Sequence, residues 1–219
     1  DRFIKREIIL NETTFKKMKK LKSLNLYGNH IKLEGNCFKH LTNLTNLNLS
    51  ETTLKSNKYY DIFSSLKSLE TFYFNNIKPC NLFKLYRVSK LTNLKKLNLR
   101  ITELDLENFG EMLRQKRRPE VELINPTNDD LCYYILKDMT KLTHLDLSSC
   151  ELTYINKRVL SQMPNLICLD LSSNNIGQIP DDTFDCLSNL EDIDLSRNLF
   201  RQIKLNRLFL KCDKLKRVT

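Results

Sequence analysis

The feature that most constrains this chain is a beat of about two dozen residues. The stretch Leu166–Leu190, LICLDLSSNNIGQIPDDTFDCLSNL, places apolar side chains at Leu166, Leu169, Leu171, Ile176, Ile179, Phe184, Leu187 and Leu190. Moved back 24 residues, the template falls on Leu142, Leu145, Leu147, Leu152, Ile155, Leu160 and Met163. Moved forward 24, it falls on Leu190, Ile193, Leu195, Asn198, Phe200 and Ile203. Several matches in phase outweigh any single match. Self-similarity at this period means that each unit buries its apolar face only by stacking on the next one.

Earlier units follow the same rule. One starts at Leu21 (Leu24, Leu26, Asn29, Ile31, then Phe38 and Leu41). A second starts at Leu44 (Leu47, Leu49, Thr52, Leu54, then Ile62 or Phe63 and Leu66). A third starts at Leu69, with Phe72 and Phe74 inward, Ile77 at the Asn position, and Leu82, Val88 and Leu91 returning. A fourth starts at Leu94 (Leu97, Leu99, Thr102, Leu104), followed by an amphipathic helix expected over Asp105–Gln115. A fifth is expected near Arg118, with Val121 and Leu123 inward, because 94, 118 and 142 are equally spaced. Asp1–Lys20 supplies the back half of a unit, and a last one opens at Leu215.

The expected architecture is therefore one domain over 1–219, with about eight full repeats and partial repeats at both ends. The xLxL core alternates inward and outward, which is the period of a strand. Successive strands stack in parallel, and each repeat returns by a wider path. The fold class is an α/β solenoid with a parallel concave sheet and short helices or turns on the convex side. Terminal repeats of a solenoid need polar caps, and neither end reads as one, so a piece of a longer protein is expected. Phe15, Phe38 and Phe184 should stack as a convex aromatic spine. Asn29, Asn174 and Asn198 should bond main-chain groups of the turns.

Outward strand residues form columns about 4.8 Å apart. The central one reads Asn25, Asn48, Tyr73, Asn98, Glu122, Asp146, Asp170 and Asp194, flanked by Tyr27, Asn75, Lys95, Lys96, Arg100, His144 and Arg197. The candidate ligand-binding residues are Tyr27, Tyr73, Asn98, Lys96, Arg100, His144, Asp146, Asp170 and Asp194. A protein or peptide ligand is expected on this face, with the carboxylates meeting basic groups. The plainer reading is that Asp in LDLS is part of the repeat itself. His144 stands beside Asp146 without a third or fourth ligand, so no metal is expected.

Net charge is +10, from 36 Lys and Arg against 26 Asp and Glu. Lys16, Lys17, Lys19, Lys20 and Lys22 crowd the N-terminal part, and Lys116, Arg117 and Arg118 form a later run. These are either solvated faces or a site for an anionic partner. No run of about 18 apolar residues crosses a membrane, and no secretory pattern opens the chain. The seven cysteines include no CxxC pair, which leaves a zinc site without support. Cys150 replaces an Asn, and a disulfide between Cys37 and Cys80 is conceivable. No phosphate loop, nucleophile elbow or HExxH appears, so neither an enzyme nor a cofactor is expected.

NNIGQIPDDTFDCLSNLEDIDLSRN resembles the animal extracellular class of leucine-rich repeats, and is similar to Toll-like receptor ectodomains and secreted insect immune leucine-rich repeat proteins. The resemblance implies a leucine-rich repeat horseshoe that recognises a protein or ligand for a cell-surface or secreted receptor, often in innate immunity, with a receptor homodimer as one form. Three sequons, at Asn11, Asn43 and Asn48, fit such an address as glycosylation candidates. An intracellular scaffold or adaptor on the same solenoid, with a cytoplasmic address, is the alternative. A third class is nucleic-acid binding by the basic N-terminal part.

Overall fold

The structure is a computed structural model and describes residues 7–55, 62–75, 88, 90–100, 136–155 and 157–219. Eleven strands are found among these residues. They are β1 (Ile8–Leu10), β2 (Ser23–Asn25), β3 (His30–Leu33), β4 (Asn46–Asn48), β5 (Thr53–Lys55), β6 (Thr71–Tyr73), β7 (Lys96–Asn98), β8 (His144–Asp146), β9 (Cys168–Asp170), β10 (Asp192–Asp194) and β11 (Arg217–Val218). Two one-turn helices, α1 (Lys157–Leu160) and α2 (Leu205–Leu208), lie on return segments.

Eight strands form one parallel sheet in the order β11-β10-β9-β8-β7-β6-β4-β2. Its register keeps one apolar residue over the next: Leu24, Leu47, Phe72, Leu97, Leu145, Leu169, Ile193 and Val218. From Leu47 to Ile193 every member is buried. Each leucine so removed from water contributes roughly 1.5–3 kcal/mol. This is the solenoid expected from the period.

Local turn chemistry sets each strand's exit. The residue three positions beyond the last residue of β2, β4, β8, β9 and β10 has a left-handed backbone: Gly28, Glu51, Ser149, Ser173 and Arg197, with φ between 53° and 72°. Only at Gly28 is that conformation free of side-chain cost. The next residue then turns inward. Asn174 donates from Nδ2 to the carbonyls of Leu147 (3.0 Å) and Leu171 (2.9 Å), and accepts at Oδ1 from the N–H groups of Cys150 (2.9 Å) and Leu152 (3.0 Å). Asn198 repeats this one layer on, and Asn29 bonds the carbonyls of Leu26 and Tyr27. The substitutes also bond: Thr52 donates to the Leu49 carbonyl, and the Cys150 thiol to the Leu99 carbonyl at 2.9 Å.

The aromatic spine forms in two pieces. Phe15 stacks on Phe38 and Phe38 on Phe63, at 6.0 and 6.3 Å between centroids. Phe184 stacks on Phe209 at 5.2 Å.

Three features depart from the sequence reading. First, β1, β3 and β5 form a second parallel sheet on the return side, where short helices or turns were expected. Ile8 and Leu10 belong to a strand because Ile31 and Leu33 offer them a ladder. Second, β7 and β8 pair directly, Leu97 beside Leu145, although the sequence sets them two periods apart. The Thr143 hydroxyl donates to the Lys95 carbonyl across a separation of 48 residues, where the other paired strands of this sheet are 23 to 25 apart. Third, Cys37 is a buried free thiol, which removes the conceivable bridge to Cys80. The expectations for Ile77, Cys80, Leu82, Thr102, Leu104, the Asp105–Gln115 helix, the Lys116–Arg118 run, and Val121, Glu122 and Leu123 fall outside the described residues.

Candidate functional site

The concave sheet carries two outward residues per strand, one on each side of the buried one. The parallel register stacks them in two columns. One reads Ser23, Asn46, Thr71, Lys96, His144, Cys168, Asp192 and Arg217. The other reads Asn25, Asn48, Tyr73, Asn98, Asp146, Asp170 and Asp194. Beyond Tyr73 they wall a groove of about 510 Å³, with Lys96, His144, Cys168 and Asp192 on one side and Asn98, Asp146, Asp170 and Asp194 on the other.

Of the nine residues expected to bind ligand, seven line this groove: Tyr73, Lys96, Asn98, His144, Asp146, Asp170 and Asp194. Tyr27 is exposed at the N-terminal end of the sheet, and Arg100 lies past the end of β7; neither lines it. Cys168, Asp192, Arg217 and Thr219 also line the groove and were missed from the sequence. The strand alternation that placed Asp194 outward places Asp192 outward too, so the signal was present.

Each aspartate of the ladder divides its oxygens. Asp146, Asp170 and Asp194 accept at Oδ1, at 2.8 Å, from the backbone N–H groups of Ser148, Ser172 and Ser196. Asn25 and Asn48 accept likewise from Tyr27 and Ser50. The position therefore has a structural duty that Asn fulfils as well as Asp. The negative charge is surplus to it and faces the groove. Asn98 breaks the pattern at the seam. The Arg100 N–H bonds Asn75 Oδ1 instead (3.0 Å), and Asn98 Oδ1 is buried with no hydrogen-bond partner.

Arg217 holds Asp192 through Nε to Oδ1 at 2.9 Å and through a second, shorter contact to Oδ2. That guanidinium keeps the Asp192 carboxyl below the usual carboxylate range. His144 Nδ1 meets the Thr143 hydroxyl at 2.9 Å. That hydroxyl's proton goes to the Lys95 carbonyl, so Nδ1 carries the imidazole proton and Nε2 is left as an acceptor. Burial, and then the charge of Lys96, lower the His144 pKa, which keeps the ring neutral at physiological pH. Burial first, and the Asp192 and Glu191 charges next, raise the Cys168 thiol. Among the described residues no three His, Cys, Asp or Glu side chains are placed to hold a metal ion.

The sequon residues differ in setting. Asn11 Oδ1 accepts from the Thr13 N–H (2.9 Å) and hydroxyl (2.7 Å), within a half-exposed turn. Asn43 is exposed, but its Nδ2 donates to the Lys19 carbonyl at 2.9 Å. Asn48 lies on the concave face.

A family model described as leucine rich repeat matches residues 9–54 and 140–200. No curated protein matches the sequence. Among solved structures, an internalin C2 from Listeria monocytogenes is similar at 19% identity and a TM-score of 0.61, over 97% of this chain and 76% of that one. Toll in the Drosophila Toll–Spatzle complex is similar at 23% identity and a TM-score of 0.66, over 96% of this chain. TLR13 in its complex with ssRNA13 is similar at 22% identity and a TM-score of 0.59, over 94% of this chain. This chain spans only 25% of the Toll chain and 29% of the TLR13 chain. Leucine-rich repeats are protein-interaction modules, generally without enzymatic activity. The periodic register, the Asn-bonded turns and these matches agree on the fold: it is that of a leucine-rich repeat solenoid, similar to the Toll and TLR13 chains.

Proposed function

We propose that this solenoid is the recognition module of a cell-surface or secreted receptor, and that its concave groove takes a protein or peptide bearing basic groups. The observation that carries this reading is the free oxygen on each of Asp146, Asp170 and Asp194, three charges in register on a rigid sheet. Tyr73, 41% exposed at the rim, is the aromatic anchor. Lys96, on the strand next to Tyr73, disfavours a cation at that end and sets polarity along the groove. A second copy of the receptor is a further partner. The likeness in fold to Toll, whose complex is described as a hub in development and innate immunity, supports an extracellular immune role. In that setting Asn11 carries a glycan more readily than Asn43, whose amide nitrogen is bonded to the Lys19 carbonyl, or Asn48, which lies on the concave sheet.

The test uses a fluorescein-labelled peptide of alternating Lys and Gly, read by anisotropy. Asp146→Asn, Asp170→Asn and Asp194→Asn together keep the turn hydrogen bonds and remove the charge. The variant should bind at least about ten-fold more weakly with its circular dichroism unchanged. Equal affinity in wild type and variant rejects the ladder as the recognition element. The second reading is an intracellular scaffold. It is favoured by the free thiols at Cys37, Cys150, Cys168, Cys186 and Cys212, which suit a reducing compartment.

A further inference from the structure

The lysines before β2 stand apart from the groove in both place and chemistry. Lys16, Lys17, Lys19, Lys20 and Lys22 are all exposed. Between Thr13 and Ser50 the sequence contains one acidic residue, Glu34, and it is already paired with Lys32 at 2.8 Å. Glu12, just outside, is paired with Lys39. None of the five lysines forms an ion pair among the described residues, so their charges meet no counter-charge from the protein there.

Their backbone is held in place. Lys16 N–H donates to the Thr13 carbonyl, Met18 N–H to Phe15, and Leu21 N–H to Met18. The Lys19 carbonyl accepts from Asn43 Nδ2, and the Lys22 carbonyl from the N–H groups of Thr45 and Asn46. Phe15, buried against Phe38, pins the turn beneath. The lysines therefore project from a fixed edge, and ordering them costs side-chain entropy alone.

The edge runs on along the solenoid. The bond from Asn43 to the Lys19 carbonyl recurs as Ser68 to Thr42 and as Asn93 to Lys67. Lys19, Thr42 and Lys67 are thus successive rungs. Lys67, also exposed, stands about 10 Å from Lys19 at about 4.8 Å per layer. A linear polymer lying along this flank would meet Lys19 and Lys20, the neutral Thr42 and Asn43, and then Lys67.

We infer that this flank is a binding surface for a linear sulfated polysaccharide. A run rich in Lys fits closely spaced anions generally. The choice among them comes from what the flank lacks. From Lys16 to Lys22 it has no aromatic side chain on which a base could stack and no Arg to fork onto a base edge. Recognition there is by point charge alone, which suits a uniform string of sulfates. The site is separate from the concave groove, which shares none of these lysines and is rich in the opposite charge.

The experiment measures binding of a heparin oligosaccharide to the whole chain by calorimetry, at 50 and 200 mM salt. Beside it runs a single-stranded oligo(dT) of equal charge. Five contacts, each releasing counterions roughly as phosphates do, give a loss of about 100-fold between the two salt concentrations. Lys16→Gln, Lys17→Gln, Lys19→Gln and Lys20→Gln together should weaken heparin binding at least about ten-fold, with the melting curve unchanged because these side chains are exposed. Arg201→Gln with Lys204→Gln, exposed at the far end, should leave it unaltered. Equal loss in both variants, no heparin binding at 50 mM, or oligo(dT) binding tighter than heparin would each overturn the inference. The triple aspartate variant probes the groove separately, so failure of one site does not read as failure of the other.

Discussion

Replacing Asn174 by alanine tests the turn chemistry that holds the layers together. The side chain is 3% exposed and serves two successive repeats. Its loss orphans the N–H groups of Cys150 and Leu152, for which Oδ1 is the hydrogen-bond acceptor, and strips a donor from the Leu147 and Leu171 carbonyls. An unsatisfied buried donor costs about 1–3 kcal/mol. Two donors give about 2–6 kcal/mol, large against a total stability of about 5–15 kcal/mol. For a chain of this size about 4 kcal/mol corresponds to a melting shift of roughly 8–16 °C. Asn198 takes one N–H, from Ile176, and Asn29 bonds carbonyls that water can reach. Thermal melts followed by circular dichroism should therefore rank the alanine variants Asn174, Asn198, Asn29, from largest loss to smallest. A shift at Asn174 no greater than that at Asn29 would refute the reasoning.

Two other outcomes follow from titrating groups. Arg217 lowers the folded-state pKa of Asp192, so the unfolded chain takes up that proton first. The stabilisation is complete above about pH 4 and is lost as pH falls through the folded value. An NMR titration should show the Asp192 carboxyl moving up in Arg217→Ala; an unmoved midpoint would count against the pair. Burial pushes the Cys37 thiol up to about 12, and its side chain is inaccessible, whereas Cys168 is half-exposed. Because the thiolate is the nucleophile, a thiol reagent at pH 8 should label Cys168 well before Cys37 in the native chain. Mass spectrometry of the labelled peptides would reveal equal rates if the burial were wrong.

The sequence by itself determined the inward column, the Asn turns and the outward aspartates. Each depends on a residue's place within its own period, and in a solenoid every period meets the same neighbours. Leu145, Asn174 and Asp170 could thus be assigned without knowing what lay beside them. What only the tertiary structure decided is which strands become neighbours. Val121 and Leu123 kept the phase, yet Leu97 pairs with Leu145, which brings Asn98 against Asp146 and closes the groove at that seam. Ile8 and Leu10 became a strand because Ile31 and Leu33 stood ready to pair with them. The Asp192–Arg217 contact likewise needed the register of β10 on β11. The period places side chains relative to their own backbone, whereas hydrogen bonds between layers choose the partner. A spacing that is regular in sequence can therefore skip a rung in space.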